Sequence, residues 1–107
     1  MRRGEVWWAQ LPPPAGRRPV VLLSRDEAYL VRDLVTIAPV TTRVRGIAAE
    51  VALGPDDGLS RPCVVNLDTL TTVPRRLLAE RLAVLGAARV RAIDSAIAFA
   101  LGLEVSP

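Results

Sequence analysis

Two adjacent arginines, Arg17 and Arg18, stand before the aliphatic run Val20, Val21, Leu22 and Leu23, with Pro19 between. Four consecutive aliphatic residues predict a strand that enters the core. A guanidinium stays charged at any working pH and is rarely buried without a partner, so the strand must hold its cations out at its end. Because the planar fork of an arginine matches two oxygens of a phosphate or carboxylate, this position favours anion binding.

The positive charge of the chain is carried by arginine alone. All 14 cations among the 107 residues are Arg, 11 residues are Asp or Glu, there is no His, and the formal net charge is +3. Arginine forks suit phosphate, although a codon bias toward arginine would give the same count. The lack of His removes the most common general acid or base, so any acid–base chemistry must use other groups.

The composition of the chain limits the classes of protein to which it can belong. Half of the residues are apolar, but no uncharged apolar run reaches the ~18 residues of a membrane span. Glu5 and the prolines at 12–14 interrupt any signal-peptide-like segment. We therefore expect one cytoplasmic domain over residues 1–107. Cys63, the only cysteine, is interpreted as a buried small hydrophobe rather than a reactive thiol, and we expect no disulfide and no metal site.

Turn residues divide the first 73 positions into short strands. Five are predicted, at residues 5–11, 19–25, 34–42, 46–53 and 62–73. Pro39 inside the third indicates an edge or a bulge near its end, because proline cannot donate to a sheet ladder. Short strands at this spacing predict a small, strongly bent antiparallel sheet or barrel.

The spacing of the apolar residues along the sequence changes after Pro74. Residues 75–85 fit either a helical turn or a strand, and we favour a short turn at 75–78 followed by a sixth strand near 81–85. Between residues 87 and 101 apolar side chains recur at helical spacing, at Val90, Ile93, Ile97, Ala100 and Leu101. With Gly102 as its stop signal, this segment predicts a final amphipathic helix that covers one face of the sheet.

Five motifs occur in order along the chain: RGEVWW at 3–8, GRRPVVLLS at 16–24, IAPVTT at 37–42, VVNLDTLTTV at 64–73 and AIAFALGL at 96–103. Each is weak alone, but together they resemble the MazF/PemK family of toxins from bacterial toxin–antitoxin systems over essentially residues 2–103. The resemblance implies a mainly β fold with one helix, an SH3-like barrel of about five to six strands shared with the CcdB topoisomerase poisons.

The resemblance also implies a sequence-selective endoribonuclease that cleaves single-stranded RNA without a metal or other cofactor. Such a toxin is a homodimer, inhibits translation and growth, and is neutralised by a MazE-like antitoxin. The 2′-hydroxyl of the substrate attacks the adjacent phosphorus and leaves 2′,3′-cyclic phosphate and 5′-hydroxyl ends. The protein then has to align oxygens, neutralise phosphoryl charge and assist proton transfer.

By motif, the catalytic arginine of the family falls on Arg18 and its catalytic threonine on Thr41. The resemblance implies that Arg18 clamps the phosphate and that Thr41 donates to a phosphoryl oxygen or aligns the 2′-hydroxyl. The proton roles stay open among Asp68, Glu5 and Arg18 itself. Candidate RNA contacts are Arg17, Arg25, Thr42, Arg43, Arg45 and Asn66.

Each assignment has a structural alternative. Arg18 could pair with a carboxylate such as Glu5, Thr41 could serve as a strand former, and Asp68 could bond a loop. Arg17 contributes general attraction, while the arginines at 43 and 45 either track phosphates or lie in a solvated turn. Trp7 and Trp8 point to opposite faces, so we expect one in the core and the other at an interface or near RNA bases, with core or dimer packing favoured.

Two departures from the family pattern leave base specificity open. The loop between the first two strands is short, and TTVP at 71–74 lacks an arginine and an aspartate that many relatives carry. Two rival functions are disfavoured. A CcdB-like poison acts through a tryptophan-containing C-terminal tail, whereas LGLEVSP has no aromatic residue. The joint presence of Arg18 and Thr41 argues against an inactive SH3-like binding module.

Overall fold

The computed structural model describes residues 1–104, which form a mainly β structure with one long C-terminal helix. Seven strands lie within these residues: β1 Glu5–Gln10, β2 Arg17–Leu22, β3 Leu34–Thr41, β4 Glu50–Leu53, β5 Cys63–Asn66, β6 Thr71–Pro74 and β7 Leu78–Val84. A short helix α1 (Ala28–Val31) precedes β3, and α2 (Ala87–Leu101) follows β7. The predicted C-terminal helix is confirmed. Residues 105–107, part of the tail compared above with CcdB-like poisons, lie outside the description.

All recorded strand pairs are antiparallel, and their order is β4-β5-β3-β2-β1-β7, with β6 also paired to β3. No pairing between β4 and β7 closes the sheet within residues 1–104, so the described ladder is open, where a barrel was expected. Pro39 does not make β3 an edge strand. It lies where the partner of β3 changes from β6, ending at Ile37, to β5, beginning at Val40, and its missing donor is tolerated there.

The predicted fifth strand is two strands, β5 and β6, because a turn interrupts it. The side chain of Asn66 accepts the Asp68 amide at 2.9 Å and donates to Thr69 Oγ1 at 3.1 Å, and such bonding to the local backbone favours a turn over a ladder. The predicted fourth strand begins late, at Glu50. Its carboxylate accepts the amides of Arg45 at 3.0 Å and Gly46 at 2.9 Å, which fixes the preceding loop.

The helix α2 packs on one face of the sheet. Its buried side chains Ile93 and Ala96 join a core cluster that includes Val6, Val21 and Val65. Gly4 permits this approach, since its φ is +89° and a Cβ there would lie 2.9 Å from Val90 Cγ2. The predicted apolar stripe is wrong at its last residue: Leu101 is 58% exposed, because it lies in the final turn before the Gly102 cap.

The opposite face carries a second cluster, which includes Ala9, Val20, Leu22, Ile37 and Val73. Cys63 is buried, as expected. Within residues 1–104, no helix is both long and apolar enough to span a bilayer.

Candidate functional site

Arg18 is the second residue of β2 and pairs with Ala9 of β1. It is half-buried and lines a cavity of about 240 Å³. The other lining residues are Leu11, Pro12, Ala15, Ile37, Pro39, Thr69, Thr71 and Val73. Among the ion pairs and side-chain hydrogen bonds of residues 1–104, none involves the Arg18 guanidinium. Its donors are therefore available to an anion in the cavity.

Glu5 does not pair with Arg18. Its carboxylate accepts the Arg2 amide at 3.0 Å and the Trp7 indole at 3.0 Å, and the guanidinium of Arg81 lies 3.4 Å away. Burial alone would raise the pKa of Glu5, but the bonds from Trp7 and the Arg2 amide, the N-terminal charge and Arg81 together lower that pKa below its ordinary value.

Glu5 also lies far from the candidate site. It is four residues along β1 from Ala9, the partner of Arg18, or about 13 Å. The pairing of Glu5 with Arg18 that the sequence allowed is therefore wrong, and the distance and these partners make Glu5 a weaker candidate for a catalytic base than a carboxylate near Arg18. Two of its donors, Arg2 and Trp7, are close in sequence, whereas Arg81 reaches Glu5 only through the pairing of β1 with β7.

Thr41 ends β3 at the same edge of the sheet as Arg18. The recorded pairing of β2 with β3 stops at Val20 and Pro39, and continuing its register by two residues brings Arg18 opposite Thr41. Thr41 Oγ1 accepts the Arg43 amide at 3.1 Å. The two residues line different cavities, because the Thr41 cavity is a separate space of about 440 Å³.

The larger cavity has an apolar wall and a polar rim. The apolar lining is formed by Trp8, Pro19, Val40, Leu59, Cys63 and Leu82, and the rest by Thr41, Thr42, Gly58, Ser60 and Arg61. Burial raises the pKa of the Cys63 thiol, and Asp57 adds to this, so the thiol stays neutral as the sequence suggested. Ser60 and Arg61 were not predicted as site residues, since they reach the cavity only through the fold of the segment before β5.

Trp8 carries a guanidinium on its ring. Arg17 lies over it, with 4.4 Å between the guanidinium carbon and the ring centroid, and the Nη2 of Arg17 lies 3.3 Å from Glu80 Oε1. Trp8 pairs in register with Glu80 of β7. The sequence suggested RNA contact and general attraction for Arg17 but not this stack, which depends on the register of three strands.

The turn after β5 borders the smaller cavity. Thr69 lines that cavity. The residue before Thr69, Asp68, is exposed, and its carboxylate has no partner within residues 1–104. Asn66 is a weaker candidate for RNA binding, because both ends of its amide shape the turn.

The remaining candidates are divided between two ends of the sheet. Thr42, Arg43 and Arg45 are exposed in the loop after Thr41, and Thr42 lines the larger cavity. Arg25 is exposed beyond the far end of β2, so the strand from Arg18 to Leu22, about 13 Å, separates it from Arg18. The structure therefore does not bring Arg25 to the others. Within residues 1–104, no group of three or more Asp, Glu, Cys or His converges as metal ligands would.

Known proteins resemble this chain over nearly all of its length. Residues 2–101 match the family described as PemK-like, MazF-like toxins of type II toxin–antitoxin systems. The probable endoribonuclease MazF5 of Mycobacterium tuberculosis is 45% identical over 100 residues, covering 92% of this chain and 91% of that protein.

Two solved structures share the fold described above. The Mycobacterium tuberculosis toxin MazF-mt6 superposes with a TM-score of 0.88 at 36% identity, over 94% of this chain and 99% of that one. A mycobacterial endoribonuclease in complex with its cognate antitoxin superposes with a TM-score of 0.87 at 29% identity, over 99% of both chains. The similarity thus includes the strand ends that carry Arg18 and Thr41.

Proposed function

Because the chain belongs to the PemK/MazF family of type II toxins, we propose that it is an endoribonuclease toxin that cleaves single-stranded RNA at selected sequences. The observation that carries this proposal is Arg18, a half-buried residue near the start of β2, next to which the neighbouring strand β3 ends at Thr41. Its guanidinium has no protein partner within residues 1–104. A cation with free donors at the end of a strand suits the stabilisation of a phosphoryl group.

In the proposed reaction the 2′-oxygen of the substrate forms a bond to phosphorus, and the bond from phosphorus to the 5′-oxygen breaks. Arg18 binds the non-bridging oxygens and stabilises the charge that develops on them. Thr41 donates its hydroxyl to a phosphoryl oxygen or orients the 2′-hydroxyl. The products are a 2′,3′-cyclic phosphate and a 5′-hydroxyl. Because the substrate supplies the nucleophile and Arg18 the positive charge, the reaction needs neither metal ion nor cofactor.

The proton that leaves the 2′-hydroxyl needs an acceptor. Asp68 fits this role better than Glu5, since its carboxylate is exposed and unpartnered within the described residues and its neighbour Thr69 lines the Arg18 cavity. Arg18 remains the candidate donor to the leaving 5′-oxygen.

We infer that the toxin acts in the cytoplasm as a homodimer. The open, bent sheet of each protomer is then a variant of the SH3-like barrel. RNA cleavage then inhibits translation and growth. A cognate antitoxin of the MazE type neutralises the toxin, by analogy with the mycobacterial endoribonuclease solved with its antitoxin. An acidic antitoxin segment would complement Arg18 and the exposed Arg43 and Arg45.

The test uses purified protein, single-stranded RNA and excess EDTA. We expect cleavage in EDTA, products with 5′-hydroxyl and 2′,3′-cyclic phosphate ends, and no cleavage of a substrate with one 2′-deoxy sugar on the 5′ side of the cut. Cleavage of that deoxy substrate, or products with 5′-phosphate ends, would contradict the mechanism. Inhibition of DNA topoisomerase without RNA cleavage would instead favour a CcdB-like poison.

A further inference from the structure

The proposed phosphate chemistry leaves the 440 Å³ cavity beside Thr41 without a role. Its volume falls in the range of about 300–1,000 Å³ that is typical of small-ligand sites. Thr41, at the end of β3, lines the cavity, and Arg18 lies near the start of the neighbouring strand β2. A nucleotide next to a phosphate bound there would lie close to the cavity.

The wall formed by Trp8 is an aromatic ring at the boundary of the core. Along β1, Val6, Trp8 and Gln10 point to one face, and their burial falls from fully buried through half-buried to exposed. Arg17 lies over the ring but does not line the cavity. The guanidinium, which also lies 3.3 Å from Glu80 Oε1, covers the ring, and Trp8 itself lines the cavity.

The rim supplies hydrogen-bonding groups. Thr42, Ser60 and Arg61, which carry hydroxyl and guanidinium groups, belong to the lining together with the apolar residues Leu59 and Leu82. An aromatic wall combined with donors and acceptors at the edge is the chemistry that recognises an unstacked nucleobase. The cations Arg17, Arg43 and Arg61 at this end suit the phosphates that flank such a base.

We propose that this cavity is a base-binding subsite, in which Trp8 stacks on one nucleobase of the RNA beside the cleaved phosphate and the rim residues read its edge. Arg17 acts as a positioning residue that fixes the ring. The inference rests on the proposed RNA cleavage and adds to it the residues that determine sequence preference.

The test measures binding, so that it does not depend on the catalytic step. Once the cut site is mapped, a single-stranded RNA with a 2′-deoxy sugar at the cut is prepared in versions that each lack one base. We expect one abasic position to weaken binding to the wild-type protein by about five- to a hundredfold, as for the loss of one stacked base. In the Trp8→Leu variant, which keeps apolar volume but has no ring, the same abasic change should cause no further loss.

Two variants serve as controls. Trp7→Phe alters the other face of β1, away from the cavity, and should keep the full abasic penalty. Trp8→Phe keeps a smaller ring and should keep part of that penalty, which preserves the test if Trp8→Leu does not fold.

Two outcomes overturn the base subsite alone. One is RNA cleavage with no abasic position coupled to Trp8 in either variant. The other is an unchanged abasic penalty in Trp8→Leu together with weaker antitoxin binding or a dissociated dimer, which would assign the cavity to a protein partner. A wild-type protein that neither binds nor cleaves single-stranded RNA overturns the proposed function, and this inference with it.

Discussion

Arg18 and Glu5 lie on neighbouring paired strands, and their hydrogen bonding differs completely. Glu5 is 6% exposed and accepts bonds from the Arg2 amide and the Trp7 indole, with Arg81 nearby. Arg18 is half-buried, and none of the described residues supplies it with an acceptor. A buried charge with its partners in place stabilises the fold, whereas a partly buried charge without a partner is a candidate for binding a ligand. The contrast separates a structural end of the sheet, at Glu5, from the end at Arg18, to which the proposed function assigns RNA cleavage and which we call the functional end.

The largest effect is expected at Arg18. Arg18→Ala should reduce the rate of RNA cleavage by about 10²- to 10³-fold, as for the loss of one positioned donor. Arg18→Lys should recover only part of the rate, because a point charge replaces a fork. Single-turnover cleavage assays measure the rate, and thermal unfolding should show a melting temperature close to that of the wild type. A melting temperature that falls in proportion to the lost activity would indicate a structural role instead.

Thr41 should show the next largest effect. Thr41→Val keeps the β-branched shape but removes the hydroxyl, and we expect a loss of about 10²-fold in the cleavage rate. The change also removes the acceptor of the Arg43 amide. Thr41→Ser is therefore the matched control, since it keeps a hydroxyl for both tasks and should retain most of the activity. Equal losses in both variants would assign Thr41 to strand packing.

A substitution at Glu5, at the structural end of the sheet, should lower the stability of the protein and leave its rate of RNA cleavage unchanged. Glu5→Gln leaves charge-assisted bonds incomplete in a buried position, so we expect the free energy of unfolding to fall by about 1–3 kcal/mol. Cleavage per folded molecule should stay near the wild-type value. Denaturant unfolding and an assay at a temperature well below the transition test the two statements separately. A large loss of rate in fully folded Glu5→Gln would return Glu5 to the catalytic group.

The lowered pKa of Glu5 also predicts a pH dependence of stability. The carboxylate binds fewer protons in the folded than in the unfolded protein, so its contribution is present above its unfolded pKa, about 4.3, and is lost as the pH falls toward the folded pKa. Unfolding midpoints between pH 6 and pH 3 should fall more for the wild type than for Glu5→Gln. Parallel curves for the two proteins would show that Glu5 is not the group responsible.

The sequence alone predicted the parts of this contrast that depend on local pattern. The run after Arg18 predicted a strand, and Gly102 predicted the end of α2, because both signals lie within a few residues. The break at Asn66–Thr69 was missed, since the β-branched residues around it favour a strand and only side-chain bonding makes the turn. The stack of Arg17 on Trp8 could not be predicted, because it depends on the register of β1 against both β2 and β7.

The smallest effect is expected at Arg25, which serves as the matched control for Arg18. Both are arginines next to the aliphatic run of β2, but Arg25 lies at its far end, exposed and separated from the cavities by the length of the strand. Arg25→Ala should change the cleavage rate less than about twofold at physiological salt, because exposed charges more than a Debye length apart are largely screened. Kinetics of Arg18→Ala and Arg25→Ala on one RNA at two salt concentrations measure the difference. A loss at Arg25 that approaches the loss at Arg18 would mean that RNA runs along the whole of β2, and the functional end would then extend across the sheet.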